Sequence, residues 1–249
     1  MDPRYIHLEP RGIEKRIYRV TTVERLFEWF ETGQNVLVRP ALWDDPFENF
    51  VLSARATIPS GETVRFGYKD QLYGQCWTLH DETDAMWRIY APDKNGVRVQ
   101  STIAQLVGAL YTAREVQHPA ISCFIGRVDY ERQDRLLKRL SDVANLEATA
   151  FDSSGREQAK SLLFKRWAFR HEREVRLIYF NPQASADLGN LFRYTVDPQS
   201  VTADIMFDPR MSKTLVAIYA DRLRQVGFHG KVRQSTLYEV PDLEGELRG

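Results

Sequence analysis

The decapeptide His171-Glu172-Arg173-Glu174-Val175-Arg176-Leu177-Ile178-Tyr179-Phe180 constrains this chain more than any other segment. Alternating acids and bases run straight into an apolar stretch rich in β-formers. Charges that end on a buried strand are costly unless they pair or bind a ligand. In an extended chain Glu172, Glu174 and Arg176 point to one face, because strand side chains alternate with period two. Such a face is either a structural ion cluster, with Arg176 neutralising both glutamates, or a site. In a site, the carboxylate pair orients a substrate hydroxyl and stabilises developing positive charge.

The chain around this segment has 249 residues, room for one large or two small domains with a core that needs no disulfide or metal. Formal net charge is zero, which argues against a constitutive nucleic-acid coat or a polybasic membrane surface and leaves room for local basic patches. Cys76 and Cys123 lie far apart among apolar and aromatic neighbours, and read as buried thiols in a reducing compartment. The N-terminus has no secretory apolar run, and no window reaches transmembrane length; the expectation is a soluble, cytoplasmic protein.

Residues 1-15 and 241-249 are polar and expected to be flexible, leaving one domain over 16-240. Short strands are expected at 16–20, 36–38, 74–79, 96–100, 121–130, 191–196, 201–207 and 231–240. Thr21 with Glu24 reads as a capping box for a helix ending at Gly33, and Thr83 as the cap of a short helix. Ser101 opens a further helix, and Leu136, Leu137, Leu140, Val143 and Leu146 mark an amphipathic one. A helix is expected over 154–167, and another starting at Asp208-Pro209. Strands and helices do not alternate regularly and no glycine-rich phosphate loop is present. The pattern predicts an α+β fold rather than a doubly wound parallel sheet.

Three further constellations stand out. Asp44-Asp45-Pro46-Phe47-Glu48 reads as a rigid turn whose carboxylates cap backbone amides, or as part of a cation site. Trp87 and Tyr90 are core residues or a stacking platform for a planar ring, and His80 beside Asp81 is a core-edge histidine or a base dyad. Arg19 ends the first strand just before a helix N-terminus, a position that suits a surface salt bridge or an anion-binding guanidinium. Serine-hydrolase, P-loop and zinc motifs are absent.

Asp45-Pro46-Phe47-Glu48, Met86-Trp87 with Tyr90-Ala91, Gly96-Val97 and Glu172-x-Glu174-x-Arg176 occur in one order. This set resembles a bacterial domain-of-unknown-function family, number twenty-nine seventy-one, over about residues 16–210. Asp44 stands where that family usually has Asn, and Trp77-Thr78 where it has an aromatic residue and Ser. More distantly, Arg19, Thr78 and Glu172 with Glu174 resemble the motif order of the arginine-serine-glutamate ADP-ribosyltransferases. That resemblance implies a split or strongly curved, largely antiparallel sheet flanked by helices. It also implies NAD as substrate, no metal, and an acceptor or protein partner of unknown kind. Arg19 would bind the NAD phosphates and Thr78 would support the nicotinamide ribose. Glu174 would hold the ribose 2′-hydroxyl and stabilise the oxocarbenium, and Glu172 would orient the acceptor. Trp87 or Tyr90 would stack on nicotinamide, and Arg176 would serve as a salt-bridge partner or a substrate-binding group. The implied activity is an ADP-ribosyltransferase or NAD glycohydrolase, as a toxin or phage-defence effector. The alternatives are a non-catalytic ligand- or protein-binding module and a magnesium nuclease using Asp45, Glu48, Glu172 and Glu174.

Overall fold

The computed structural model describes residues 2–43, 45, 47–48, 55–57, 63–65, 67–142, 148–149, 152–184 and 189–241. Its elements begin with β1 (Tyr5–Ile6), β2 (Arg16–Thr22), α1 (Val23–Thr32), β3 (Gln34–Val38), β4 (Arg55–Thr57) and β5 (Thr63–Arg65). The middle of the chain forms β6 (Leu72–Thr78), α2 (Asp84–Tyr90), β7 (Gly96–Thr102), α3 (Ile103–Thr112), β8 (Cys123–Arg127), β9 (Asp129–Glu131) and α4 (Gln133–Ser141). Then follow α5 (Arg156–Ser161), β10 (Phe164–Arg166), β11 (Glu174–Phe180), β12 (Leu191–Thr195), α6 (Pro198–Val201), β13 (Asp204–Phe207), α7 (Lys213–Gln225) and β14 (Lys231–Gln234).

The main sheet runs β1-β8-β11-β6-β2-β7-β13-β14, with β3 and β12 as a side branch. Its pairs are antiparallel except β1 with β8 and β13 with β14. The sheet stays open and is flanked by helices, an α+β fold. It is also split. β6 pairs with β2 only at Thr78–Tyr18 and with β3 only at Gly74–Val38, so β2 and β3 part on either side of Gln75–Trp77. The Gln75 amide spans this opening, donating to the Asn35 side chain (2.8 Å) and the Val36 carbonyl (2.9 Å). Glycine is required at 74, because a Cβ there would sit 2.7 Å from the Trp43 ring.

β11 lies near the centre with both faces buried. Val175, Leu177 and Tyr179 enter the larger core beside Leu26, Phe27 and Leu106. On the other face Ile178 and Phe180 join Leu72, Phe124, Leu162 and Leu163 in a second core. Fully burying each such side chain stabilises the fold by about 1.5–3 kcal/mol. That second face turns from apolar to ionic at Arg176 and Glu174, which are as buried as their neighbours.

Several element boundaries differ from expectation for local reasons. Thr22, not Thr21, caps α1, because β2 pairs with β7 through Thr22–Gly96. Thr102, not Ser101, caps α3 and forms a capping box with Gln105. Asp208 does not start a helix: its carboxylate accepts from the Arg210 amide and guanidinium, and α7 begins after Ser212. The Asp-Pro start operates at Asp197-Pro198 instead, where Asp197 accepts from the Gln199 amide. The expected helix over 154–167 ends at Ser161, and the chain returns as β10, parallel to β9. Tyr5–Ile6 adds an edge strand from the segment expected to be flexible. Val143, Leu146, Asp44, Pro46 and most of the expected C-terminal tail lie outside the described residues. Among the described residues, no helix is long and apolar enough to cross a membrane.

Candidate active site

Where β2 and β3 part, a cleft of about 240 Å³ opens over β6, and Arg19, Arg25, Thr78, Tyr90, Glu172 and Glu174 all contribute to its wall. Arg19 reaches it from β2 and Arg25 from the first turn of α1. The half-buried Arg19 guanidinium has no hydrogen bond or ion pair among the described residues, and burial pushes its pKa down to about 10 with no carboxylate to offset it. A partly buried cation with no carboxylate partner is an energetically costly arrangement. Thr78, at the end of β6, donates its hydroxyl to the Glu172 carbonyl (2.6 Å) and accepts from the His80 amide (3.1 Å). Its first role is to fasten the Glu172 turn to the sheet.

That turn corrects the strand reading of 172–176. Trp167–Glu172 is a short 3-10 helix, Arg173 adopts a left-handed conformation (φ 44°), and the strand begins only at Glu174. Glu172 and Glu174 therefore converge through a turn rather than through strand alternation. They converge on Lys165, whose ammonium from β10 lies 2.5 Å from Glu172 Oε2, 2.6 Å from Glu174 Oε1 and 3.0 Å from Glu48 Oε1. Arg176 completes the cluster, donating Nε to Glu174 (2.6 Å), Nη2 to Glu48 (2.9 Å) and Nη1 to the Leu162 carbonyl (2.6 Å). The Trp43 ring covers its guanidinium at 4.4 Å.

The electrostatics separate the two glutamates. Burial works against an ionised Glu174, but Arg176, the hydrogen bond with Glu172, and Lys165 together hold it well below the usual carboxylate range. Burial and that same hydrogen bond push Glu172 up to about 8, against the pull of Lys165. Their surroundings thus push the two carboxyls in opposite directions, Glu174 towards the charged form and Glu172 towards the protonated one.

Of the residues read from the sequence, Arg19, Thr78, Glu172, Glu174 and Tyr90 meet at the cleft. Tyr90 is 39% exposed at its mouth. Trp87 is not brought there: it is buried with Ala91 and Met206, and its indole donates to Glu82 (2.7 Å). Arg176 is not in the lining of the cleft, and each of its three side-chain nitrogens already donates to Glu174, Glu48 or the Leu162 carbonyl. Asp45 pairs with Arg166 (2.8 Å) and accepts from the Phe47 amide, and Glu48 belongs to the cluster, so the described acids proposed for a cation site are each paired with an arginine or lysine side chain. Lys165 and Arg25 escaped the sequence reading. Arg25 has the same signal as Arg19, a cation at the start of a capped helix. Lys165 carries no local signal. A separate groove beside α4 is lined by Arg132, Arg135, Lys138 and Arg139 against Glu131 and Asp142, giving the neutral chain a local basic face.

The family described as "Protein of unknown function (DUF2971)" matches residues 86–177, which spans the Met86-Trp87 and Glu172-x-Glu174-x-Arg176 motifs. Among solved structures, the chain is similar to Thermus sp. 2.9 DarT in complex with NAD+, at 12% identity and a TM-score of 0.38, over 89% of this chain and 96% of that one. It is similarly related to the same DarT in complex with ADP-ribosylated ssDNA, at 12% identity and a TM-score of 0.40, over 92% and 96%. No curated protein matches the sequence.

Proposed function

We propose that the cleft is an NAD-consuming site, of an ADP-ribosyltransferase or NAD glycohydrolase. One observation carries the reading: Arg19, which has no hydrogen bond or ion pair among the described residues, lines the same cleft as Thr78 and the pair Glu172 and Glu174, whose carboxyls are pushed in opposite directions. Arg19 and Arg25 at the start of α1 take the pyrophosphate, and Tyr90 stacks on the nicotinamide ring. Glu174, charged and immobilised by Arg176 and Lys165, accepts from the ribose 2′-hydroxyl. As the C1′–N bond breaks, its electron pair leaves with nicotinamide and Glu174 stabilises the positive charge left on the sugar. Glu172 releases its own proton to solvent, and as the acceptor or water bonds to C1′ the proton lost by that nucleophile passes to Glu172.

In a cell such turnover depletes NAD, which fits a toxin or phage-defence effector. The decisive experiment is nicotinamide release from NAD by the purified protein, expected for wild type and lost in Glu174→Gln. A folded wild type that neither binds nor cleaves NAD sinks the reading.

A second reading has an observation of its own: both Glu174 oxygens are already engaged, Oε1 by Lys165 and Oε2 by Arg176. On that reading the cleft is a non-catalytic binding module. Alanine at Arg19 then abolishes ligand capture, and no variant shows turnover because wild type shows none.

A further inference from the structure

The Glu172–Glu174 pair does not stand alone. Lys165 is 8% exposed and Glu48 and Arg176 still less, so the cluster has little bulk water to neutralise it. Among the described residues the cluster holds three carboxylates, from Glu48, Glu172 and Glu174, and two cations, from Lys165 and Arg176. A buried group of charges left one short of neutrality is costly, and taking up a proton removes the deficit.

We propose that Glu48 and Lys165 are positioning residues of this site: Glu48 supplies the excess carboxylate and Lys165 the shared cation, and their balance leaves one proton on Glu172. The geometry selects Glu172 as its carrier. Glu174 is gripped by two cations, at 2.6 Å each, and Glu48 also touches both, whereas among the described residues Glu172 has only Lys165 as a cationic partner. The raised pKa of Glu172 and the depressed pKa of Glu174 agree with this order. The other groups packed against the cluster are Tyr130 from β9, Tyr90 from α2 and Cys76 from β6. Burial pushes all three upward, so they remain neutral and leave the count unchanged. His80 and Arg173 lie on the outer rim, where burial and Arg173 together hold His80 down.

The role of Asp45-Pro46-Phe47-Glu48 follows. Asp45 anchors the segment to Arg166, next to Lys165 in β10, and Glu48 then reaches Lys165 and Arg176. The motif delivers a carboxylate that sets the protonation of another. The inference rests on the reading of Glu172 and Glu174 as the working pair only where it concerns turnover.

The test follows glutamate side-chain carboxyls by carbon-13 NMR across pH 5 to 10 in the full chain without NAD, with Glu172→Gln assigning the resonance. Wild type is expected to show Glu172 titrating in the mildly alkaline range. Glu48→Gln removes the excess carboxylate and moves that midpoint down by about one pH unit or more. Lys165→Met removes a cation and moves it up by a similar amount, and Lys165→Arg restores it toward wild type. Opposite shifts are the signature, since a merely structural role moves both variants the same way or not at all. If Lys165→Met does not fold, Glu48→Gln and Lys165→Arg still decide the matter. A Glu172 midpoint in the ordinary carboxylate range, or one unmoved by Glu48→Gln, overturns the proposal. Opposite shifts in a protein that releases no nicotinamide uphold it while removing the NAD-consuming reading.

Discussion

Two ion clusters sit on the same sheet, one partly exposed and one buried beside a larger cleft. At one end Arg98 bonds Asp204 (2.6 Å) and Asp81, Arg233 joins Asp204 at 3.3 Å, and the Tyr18 ring lies 4.5 Å from the Arg98 guanidinium. Two cations meet two carboxylates, and the hollow beside them measures about 10 Å³. At the centre three carboxylates meet two cations beside a cleft of about 240 Å³ that also holds an unpaired arginine. Both bury an ion pair, Arg98 with Asp204 in one and Arg176 with Glu174 in the other, although in the first Asp81 is exposed and Arg233 partly so. Imbalance of charge beside open space distinguishes the central cluster.

The largest effect expected from this contrast is on stability at the balanced cluster. Arg98→Met leaves Asp204 poorly compensated and is expected to cost about 3–5 kcal/mol in denaturant unfolding. The fraction that remains folded keeps NAD binding; loss of binding in well-folded Arg98→Met breaks the contrast. Next comes Glu174→Gln, expected to lower nicotinamide release about 10²–10³-fold, the usual consequence of losing a group aimed at transition-state charge. A variant that retains turnover reduces the central cluster to a second structural staple. Arg19→Ala follows, expected to weaken NAD binding about tenfold or more in calorimetry while leaving thermal stability unchanged or raised, because an uncompensated cation is removed. A clear fall in stability would show that Arg19 has a structural partner.

The smallest effect is a slope. Glu172 titrates near 8 in the folded protein and near its ordinary 4.5 when unfolded. Between those values the folded state holds the extra proton, so this carboxyl's contribution is complete below pH 4.5 and is lost as pH rises toward 8. The loss is at most about 1.4 kcal/mol per pH unit, less what solvent screening removes. Glu172→Gln is expected to flatten that part of the stability profile. An unchanged profile places the retained proton elsewhere.

Much of the site was legible in the chain because its signals are local. Arg19 stands before a capped helix, and Glu172 and Glu174 are two residues apart, so their proximity needs no fold to establish it. The strand argument nevertheless reached the right convergence by the wrong route, since Arg173 turns the backbone between them. Trp87 read either as core or as a stacking platform, because a large aromatic beside a motif looks the same in both settings; its burial with Met206, from a distant strand, decided for the core. Lys165 was missed because 154–167 has the composition of a helix. β10 exists only through a three-residue pairing with β9, a long-range contact with no periodicity to read.

By itself, the sequence determined the α+β class, the caps at Thr83 and Gly33 and the identity of the glutamate pair, since hydrophobic period and capping depend on neighbours three or four residues away. Whether the charged entry at 171–180 is staple or site depends on its charge balance. The missing terms are Glu48, 128 positions from Arg176, and Lys165, carried in by the turn out of α5. Electrostatic interaction depends on distance in space and on the dielectric between charges. Only the tertiary structure supplies either.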